Sequence, residues 1–184
     1  MAATGSKRRF TIMDISGWDG RWELIDGVPY NMTPAPSTAH QLIVGELLFA
    51  LRSHLGNSGC SIFVAPFDVQ LDNNDKYTVV QPDISVFCNK QNLYPNGAIG
   101  AADLIVEVLS PSTALKDRRE KFTLYERSDV KEYWIVDHLN HTIEVYGLSE
   151  ERYSRRQVFG MDDTLHSNIF PELLIEMKNI LQGQ

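Results

Sequence analysis

The chain has 184 residues, 43% of them apolar and 22% charged, enough for one domain with a substantial core and too few for two ordinary ones. Seventeen basic residues against 24 acidic give a net charge of -7, which excludes a basic coat protein for nucleic acid but not an enzyme whose carboxylates bind cations. No apolar run reaches membrane-spanning length and no signal peptide follows Lys7, Arg8 and Arg9, so a cytoplasmic protein without membrane partners is expected.

Residues 1–9 are small, polar and basic and are expected to form a flexible tail, leaving 10–184 as a single domain. A short helix is expected within Phe10 to Trp18. The stretch from Arg21 to Met32 reads as a hairpin about the tight-turn pair Asp26-Gly27, with Glu23 and Ile25 on one face of its first strand and Trp22 and Leu24 on the other. After the Pro34–Ser37 loop, a helix is expected from Ser37 or Thr38 to Leu55, with His40 in its first turn. Its apolar side is expected to run through Leu42, Gly45, Leu48, Phe49 and Arg52, widened by Ile43, Leu47 and Leu51.

The middle of the chain is strand-rich. Extended segments are expected at 61–66, 67–71, 77–80 and 84–88, then a loop from Asn89 to Gly100. Leu104 to Leu109 is almost continuously hydrophobic and fits a central strand covered on both faces. A helix from Thr113 to Arg127 follows, with Leu115, Phe122 and Tyr125 as its apolar stripe. Strands at Tyr133–Val136 and Thr142–Tyr146, an edge strand at Arg152–Phe159 and a closing helix over Ile169–Leu181 complete an α/β domain with a mixed central sheet. Cys60 and Cys88 are far apart in sequence and form no zinc-ligand cluster, so two buried free thiols are expected.

Two acids stand out. Glu107 interrupts the most hydrophobic strand, sharing a face with Asp103, Ile105 and Leu109, and a charge there must be paired or bind metal. Asp83 follows a proline at the mouth of another strand. The plainer reading of Glu107 is a buried salt bridge. Lys121 edges the apolar stripe of the next helix and is placed to send its ammonium back toward the sheet, and Glu23 is a third acid for the same site. Two or three carboxylates with a lysine suit phosphodiester hydrolysis. They hold a divalent cation that stabilises charge on the phosphorus oxygens and lowers the pKa of the attacking water, and oxygen-only ligation favours Mg²⁺, with Mn²⁺ as a substitute.

The motifs Gln-Pro-Asp83-Ile, Ile-Val-Glu107-Val-Leu-Ser-Pro-Ser-Thr and Asp-Arg-Arg-Glu-Lys121-Phe-x-x-Tyr resemble those of a putative restriction endonuclease family numerous in cyanobacteria, within the PD-(D/E)XK nuclease superfamily. The resemblance runs from Trp22-Glu23-Leu24-Ile25-Asp26-Gly27, through Pro36-Ser37-x-x-His40-Gln41 and Glu132-Tyr133-Trp134-Ile135-Val136-Asp137, to Tyr146. It implies a restriction-endonuclease-like fold and a metal-dependent endonuclease acting on DNA, with a homodimer as the expected assembly. It also implies roles. Asp83 and Glu107 match the metal-binding acids, Glu23 an additional acid, and His40 a recurrent histidine. Leu109 stands where the superfamily pattern has lysine, and Lys121 is the matching residue displaced to the next helix. The competing readings are a non-catalytic nucleic-acid-binding or assembly module on the same fold, and a metal-dependent hydrolase of another phosphate ester.

Overall fold

The computed structural model describes residues 8–181, and the tail expected at 1–9 lies outside them except for Arg8 and Arg9. Arg9 is docked: its guanidinium donates to the Asp26 carbonyl and lies over the Tyr77 ring. A short α1 (Ile12–Ile15) is opened by a reciprocal capping box between Thr11 and Asp14. Next come β1 (Trp22–Ile25) and β2 (Val28–Asn31), a hairpin closed by Asp26 and Gly27. Both turn residues have positive φ, which suits an Asp-Gly pair.

Helix α2 (Thr38–Leu55) is capped by the Ser37 hydroxyl, which accepts from the His40 N–H. The strands that follow are β3 (Ser61–Val64), β4 (Asp68–Gln70), β5 (Ile84–Phe87), β6 (Leu93–Tyr94), β7 (Gly97–Ile99) and β8 (Leu104–Val108). Then α3 (Ala114–Lys116), a π-helical turn (Asp117–Lys121) and α4 (Phe122–Arg127) run on without a break. The chain continues with β9 (Glu132–Asp137), β10 (Thr142–Ser149), β11 (Arg152–Phe159), β12 (Thr164–His166), β13 (Leu174–Glu176) and α5 (Met177–Leu181).

The central sheet has the order β11-β10-β9-β8-β5-β3. Only β8 and β9 in it are parallel, joined by the α3–α4 crossover; its other pairings are antiparallel. Strict alternation sorts the side chains. Val106, Val108, Trp134 and Val136 pack toward Ile43, Leu47 and Leu51 of α2. Ile105, Leu109, Tyr133 and Ile135 pack toward Leu124 and Tyr125 of α4. Glu107 therefore faces the crossover helix. No helix among the described residues is long and apolar enough to cross a membrane.

Several expectations are corrected. Cys60 and Cys88 are not buried free thiols: they form a disulfide with Cα atoms 4.0 Å apart. The antiparallel register pairs Ser61 with Phe87, so the next residue on each strand meets its counterpart across the ladder. In α2 the buried stripe is Ile43, Leu47, Leu51 and Leu55, whereas Leu42 (51% exposed) and Phe49 (71% exposed) face outward with Gly45 and Arg52. Both stripes have helical spacing, and only the position of the sheet chooses between them. Leu115 is likewise exposed. The closing helix is confined to Met177–Leu181, because Leu173, Ile175 and Met177 alternate with exposed neighbours and β13 pairs with β12. The loop from 89 to 100 contains the β6–β7 hairpin, and 77–80 contributes only isolated bridges through Val79 and Val80.

Candidate active site

The site forms where β1, the start of β5, the end of β8 and the crossover helix meet. Continuing the β5–β8 register, in which Ile84 faces Val106, by one residue sets Asp83 across from Glu107. Asp83 Oδ2 accepts from the Val108 N–H at 2.8 Å and contacts His40 Nε2 at 3.1 Å. Glu107 Oε1 accepts from Lys121 Nζ and from the Tyr125 hydroxyl, both at 2.7 Å. Lys121 and Tyr125 are one helical turn apart, so they reach the same carboxylate.

Lys121 is 1% exposed and also pairs with Glu23 Oε1 at 2.7 Å. Glu23 is fully buried, and both of its oxygens are engaged. Oε1 takes the Gln81 N–H at 3.0 Å besides Lys121, and Oε2 takes Lys116 Nζ at 2.8 Å. The structure thus gathers Glu23, Asp83, Glu107, Lys121 and His40 around one locus and adds three residues that the sequence reading did not place there: Lys116, Asp117 and Tyr125. Asp117 is buried, 4.0 Å from Lys121, and its Oδ1 has no hydrogen-bond partner. Tyr125 was legible in principle, since a lysine aimed at Glu107 carries along the residue four positions later. Lys116 was not, because α-helical spacing turns it away from Lys121.

The electrostatics follow from crowding. Burial pushes the Glu107 carboxyl up to about 8; Lys121 opposes this, while Asp117, Asp83 and Glu23 add to it. Burial would also raise Glu23, but Lys121 and Lys116 outweigh it and hold that carboxyl below its ordinary value. The contrast has a simple cause. Glu23 has two lysines, and Glu107 has one lysine and three acidic neighbours. Burial raises Asp117. Lys121 would lose its proton more easily through burial, yet Glu107, Glu23 and Asp117 hold its pKa well above the usual value. For His40 burial lowers the pKa, but the bond to Asp83 and its charge leave a net rise.

The donor set suits a hard cation. Glu23, Asp83, Glu107 and Asp117 face two lysines, an excess of acid with oxygen ligands alone. Among the described residues, no hydrogen bond falls on Asp83 Oδ1 or Glu107 Oε2, so each of these acids keeps an oxygen for an ion. Among the same residues no three His, Cys, Asp or Glu side chains are gathered closely enough to enclose an ion. Mg²⁺ does not require such a cage: it usually keeps several waters and takes one or two carboxylates plus substrate oxygens.

Arg118 pairs with Asp137 and Glu144, and Trp134 is buried in the core with its indole N–H donating to Glu132.

Residues 9–178 match the sequence profile of a family described as Uma2, putative restriction endonuclease. The chain is similar to two uncharacterized proteins of Synechocystis sp. (strain ATCC 27184 / PCC 6803 / Kazusa). With slr1290 it shares 32% identity over 130 residues, 70% of this chain and 67% of that one. With sll1609 it shares 27% identity over 113 residues, 60% of this chain and 63% of that one, less than two thirds of the relative's length. Its fold matches the crystal structure of a putative nuclease belonging to DUF820 from Anabaena variabilis ATCC 29413. The TM-score is 0.74 at 21% identity, over 94% of this chain and 97% of that one.

Proposed function

The chain belongs to the Uma2 family of putative restriction endonucleases, and on that basis we propose that it is a divalent-metal-dependent endonuclease hydrolysing DNA phosphodiester bonds. The observation that carries the reading is the buried Glu107–Lys121–Glu23 arrangement beside Asp83, with one oxygen of Asp83 and one of Glu107 uncommitted. A module that merely binds nucleic acid has no need of a lysine buried among carboxylates, whose desolvation is costly.

In this reading Asp83 and Glu107 would hold Mg²⁺ or Mn²⁺, each having an oxygen without a hydrogen bond among the described residues. When bound, the ion supplies Lewis-acid stabilisation of the phosphorane charge and acidifies the attacking water. Tyr125 and Lys121 fix the Glu107 carboxylate by its other oxygen, so the ligand does not have to be ordered when the cation arrives. Glu23 engages both oxygens with lysines and Gln81, so its part is to hold Lys121 in place rather than to ligate the ion. His40 orients Asp83 in the same way from the first turn of α2. Lys121 offsets negative charge at the reacting phosphate.

The reading also takes a homodimer, supported by the outward face of α2, where Leu42 and Phe49 are exposed on either side of Gly45.

The test is incubation of the full chain with supercoiled, linear and single-stranded DNA in Mg²⁺, Mn²⁺ or EDTA. Cleavage in either ion, abolished by EDTA and by Asp83→Asn, is expected. DNA binding without cleavage of any substrate would refute the reading in favour of a binding module. Hydrolysis of a small phosphodiester with no action on DNA would refute it in favour of the other hydrolase class.

A further inference from the structure

We propose that Lys116 contacts a DNA phosphate at the mouth of the site, carried there by the π-helical turn Asp117–Lys121; the proposal rests on the nuclease reading above. Residues five apart on an α-helix point about 140° away from each other at 3.6 residues per turn. A π-helical turn, bonded from i to i+5, brings residues five apart nearly into line, and such turns recur at functional sites. Here Lys116 and Lys121 bracket the turn and both reach Glu23, one on each carboxylate oxygen, at 2.8 and 2.7 Å.

The two lysines are not equivalent. Lys121 is 1% exposed and enclosed by Glu23, Glu107 and Asp117, whereas the Lys116 side chain is 12% exposed. An ammonium has three N–H donors. Lys116 directs one to Glu23 Oε2 and has a long contact of 3.8 Å to Met32 Sδ, so a donor remains for an incoming oxyanion. The Tyr30 ring lies 5.2 Å from Nζ and steadies the charge by a cation–π contact.

Tyr30 also connects the site to its surroundings. It lines a groove of about 620 Å³ between the β1–β2 hairpin and the crossover helix, along with Arg119 and Arg127. Arg127 is tied to Asp26, and among the described residues Arg119 makes no ion pair. The groove also holds Glu120, and it meets Lys116 through Tyr30, whose ring the Lys116 ammonium overlies; a phosphate backbone entering past the exposed Arg119 would meet Lys116 before the buried carboxylates. Because Glu23 faces both lysines, one buried acid fixes a cation for the reacting centre and a second for the strand that leads to it.

The experiment measures duplex DNA binding in EDTA over a series of salt concentrations for wild type, Lys116→Gln and Lys116→Arg, with thermal unfolding and Mn²⁺ titration on the same preparations. Gln keeps a donor for Glu23 while losing the charge; should Lys116→Gln fail to fold, Lys116→Gln combined with Glu23→Gln removes the buried carboxylate left short of a cation, and its slope is compared with that of Glu23→Gln alone. One lost phosphate contact should flatten the slope of log K against log salt by about 0.9 in Lys116→Gln and leave it unchanged in Lys116→Arg. Cleavage should fall at least roughly ten-fold in Lys116→Gln, with Mn²⁺ affinity retained. An unchanged slope overturns the proposal even if cleavage falls, since a slower rate alone would report a disturbed Glu23. A wild-type protein that binds DNA but cuts none refutes the nuclease reading, and the slope comparison still decides the role of Lys116.

Discussion

Replacing Lys121 with methionine keeps the length of the side chain and removes its charge, so the cost is electrostatic rather than steric. The ammonium lost is 1% exposed and lies 2.7 Å from both Glu23 Oε1 and Glu107 Oε1. Removing one partner from a buried ion pair costs about 3–5 kcal/mol, which lowers the melting temperature of a chain this size by roughly 6–20 °C. The pH dependence has a definite sign. Burial raises the folded pKa of Glu107 from an ordinary 4.5 to about 8, so its ionisation opposes folding as pH rises through that interval, and in the wild type the loss stops near pH 8. Without Lys121 the folded pKa climbs further, and the variant goes on losing stability above pH 8 by up to about 1.4 kcal/mol per pH unit. Urea unfolding of metal-free protein at pH 7 and pH 9 measures both effects. A Lys121→Met protein within about 1 kcal/mol of wild type at both pH values would refute the reasoning.

Metal binding should share the titration. With Glu107 as a ligand, its proton must leave before the ion binds, so Mn²⁺ affinity should fall by up to about ten-fold per pH unit below pH 8. Calorimetric titration from pH 6 to pH 9 checks this, and a flat profile would remove Glu107 from the ligand set. Phe49→Glu places a charge on the outward face of α2, where the ring is 71% exposed. Sedimentation equilibrium should show a wild-type dimer and a variant monomer with unchanged far-ultraviolet circular dichroism, whereas a wild-type monomer, or a variant that still dimerises, would exclude this face as the interface.

Features that depend on neighbours along the chain were legible in the sequence. The nearly continuous apolar run from Leu104 to Leu109 marked a central strand, the two-residue period of a strand set the face on which Glu107 stands, and Asp26-Gly27 marked the first hairpin. Ser37 and His40 marked the start of α2, and the order of motifs around Asp83, Glu107 and Lys121 pointed to the family. What the sequence left open required knowledge of what lies opposite. Ile43 and Leu42 both belong to stripes of helical period, and only the sheet beneath α2 decides which is buried. Cys60 and Cys88 are 28 residues apart, and only the β3–β5 register joins them. A helical wheel of 3.6 residues per turn sets Lys116 and Lys121 on different faces, and the π-helical turn breaks that period at the site. A period is a local property of the backbone, set by sterics and hydrogen bonding within a few residues. The choice of stripe, the partner of a cysteine and the direction of a buried ammonium depend on surfaces contributed from tens of residues away, and these meet only when the chain has folded.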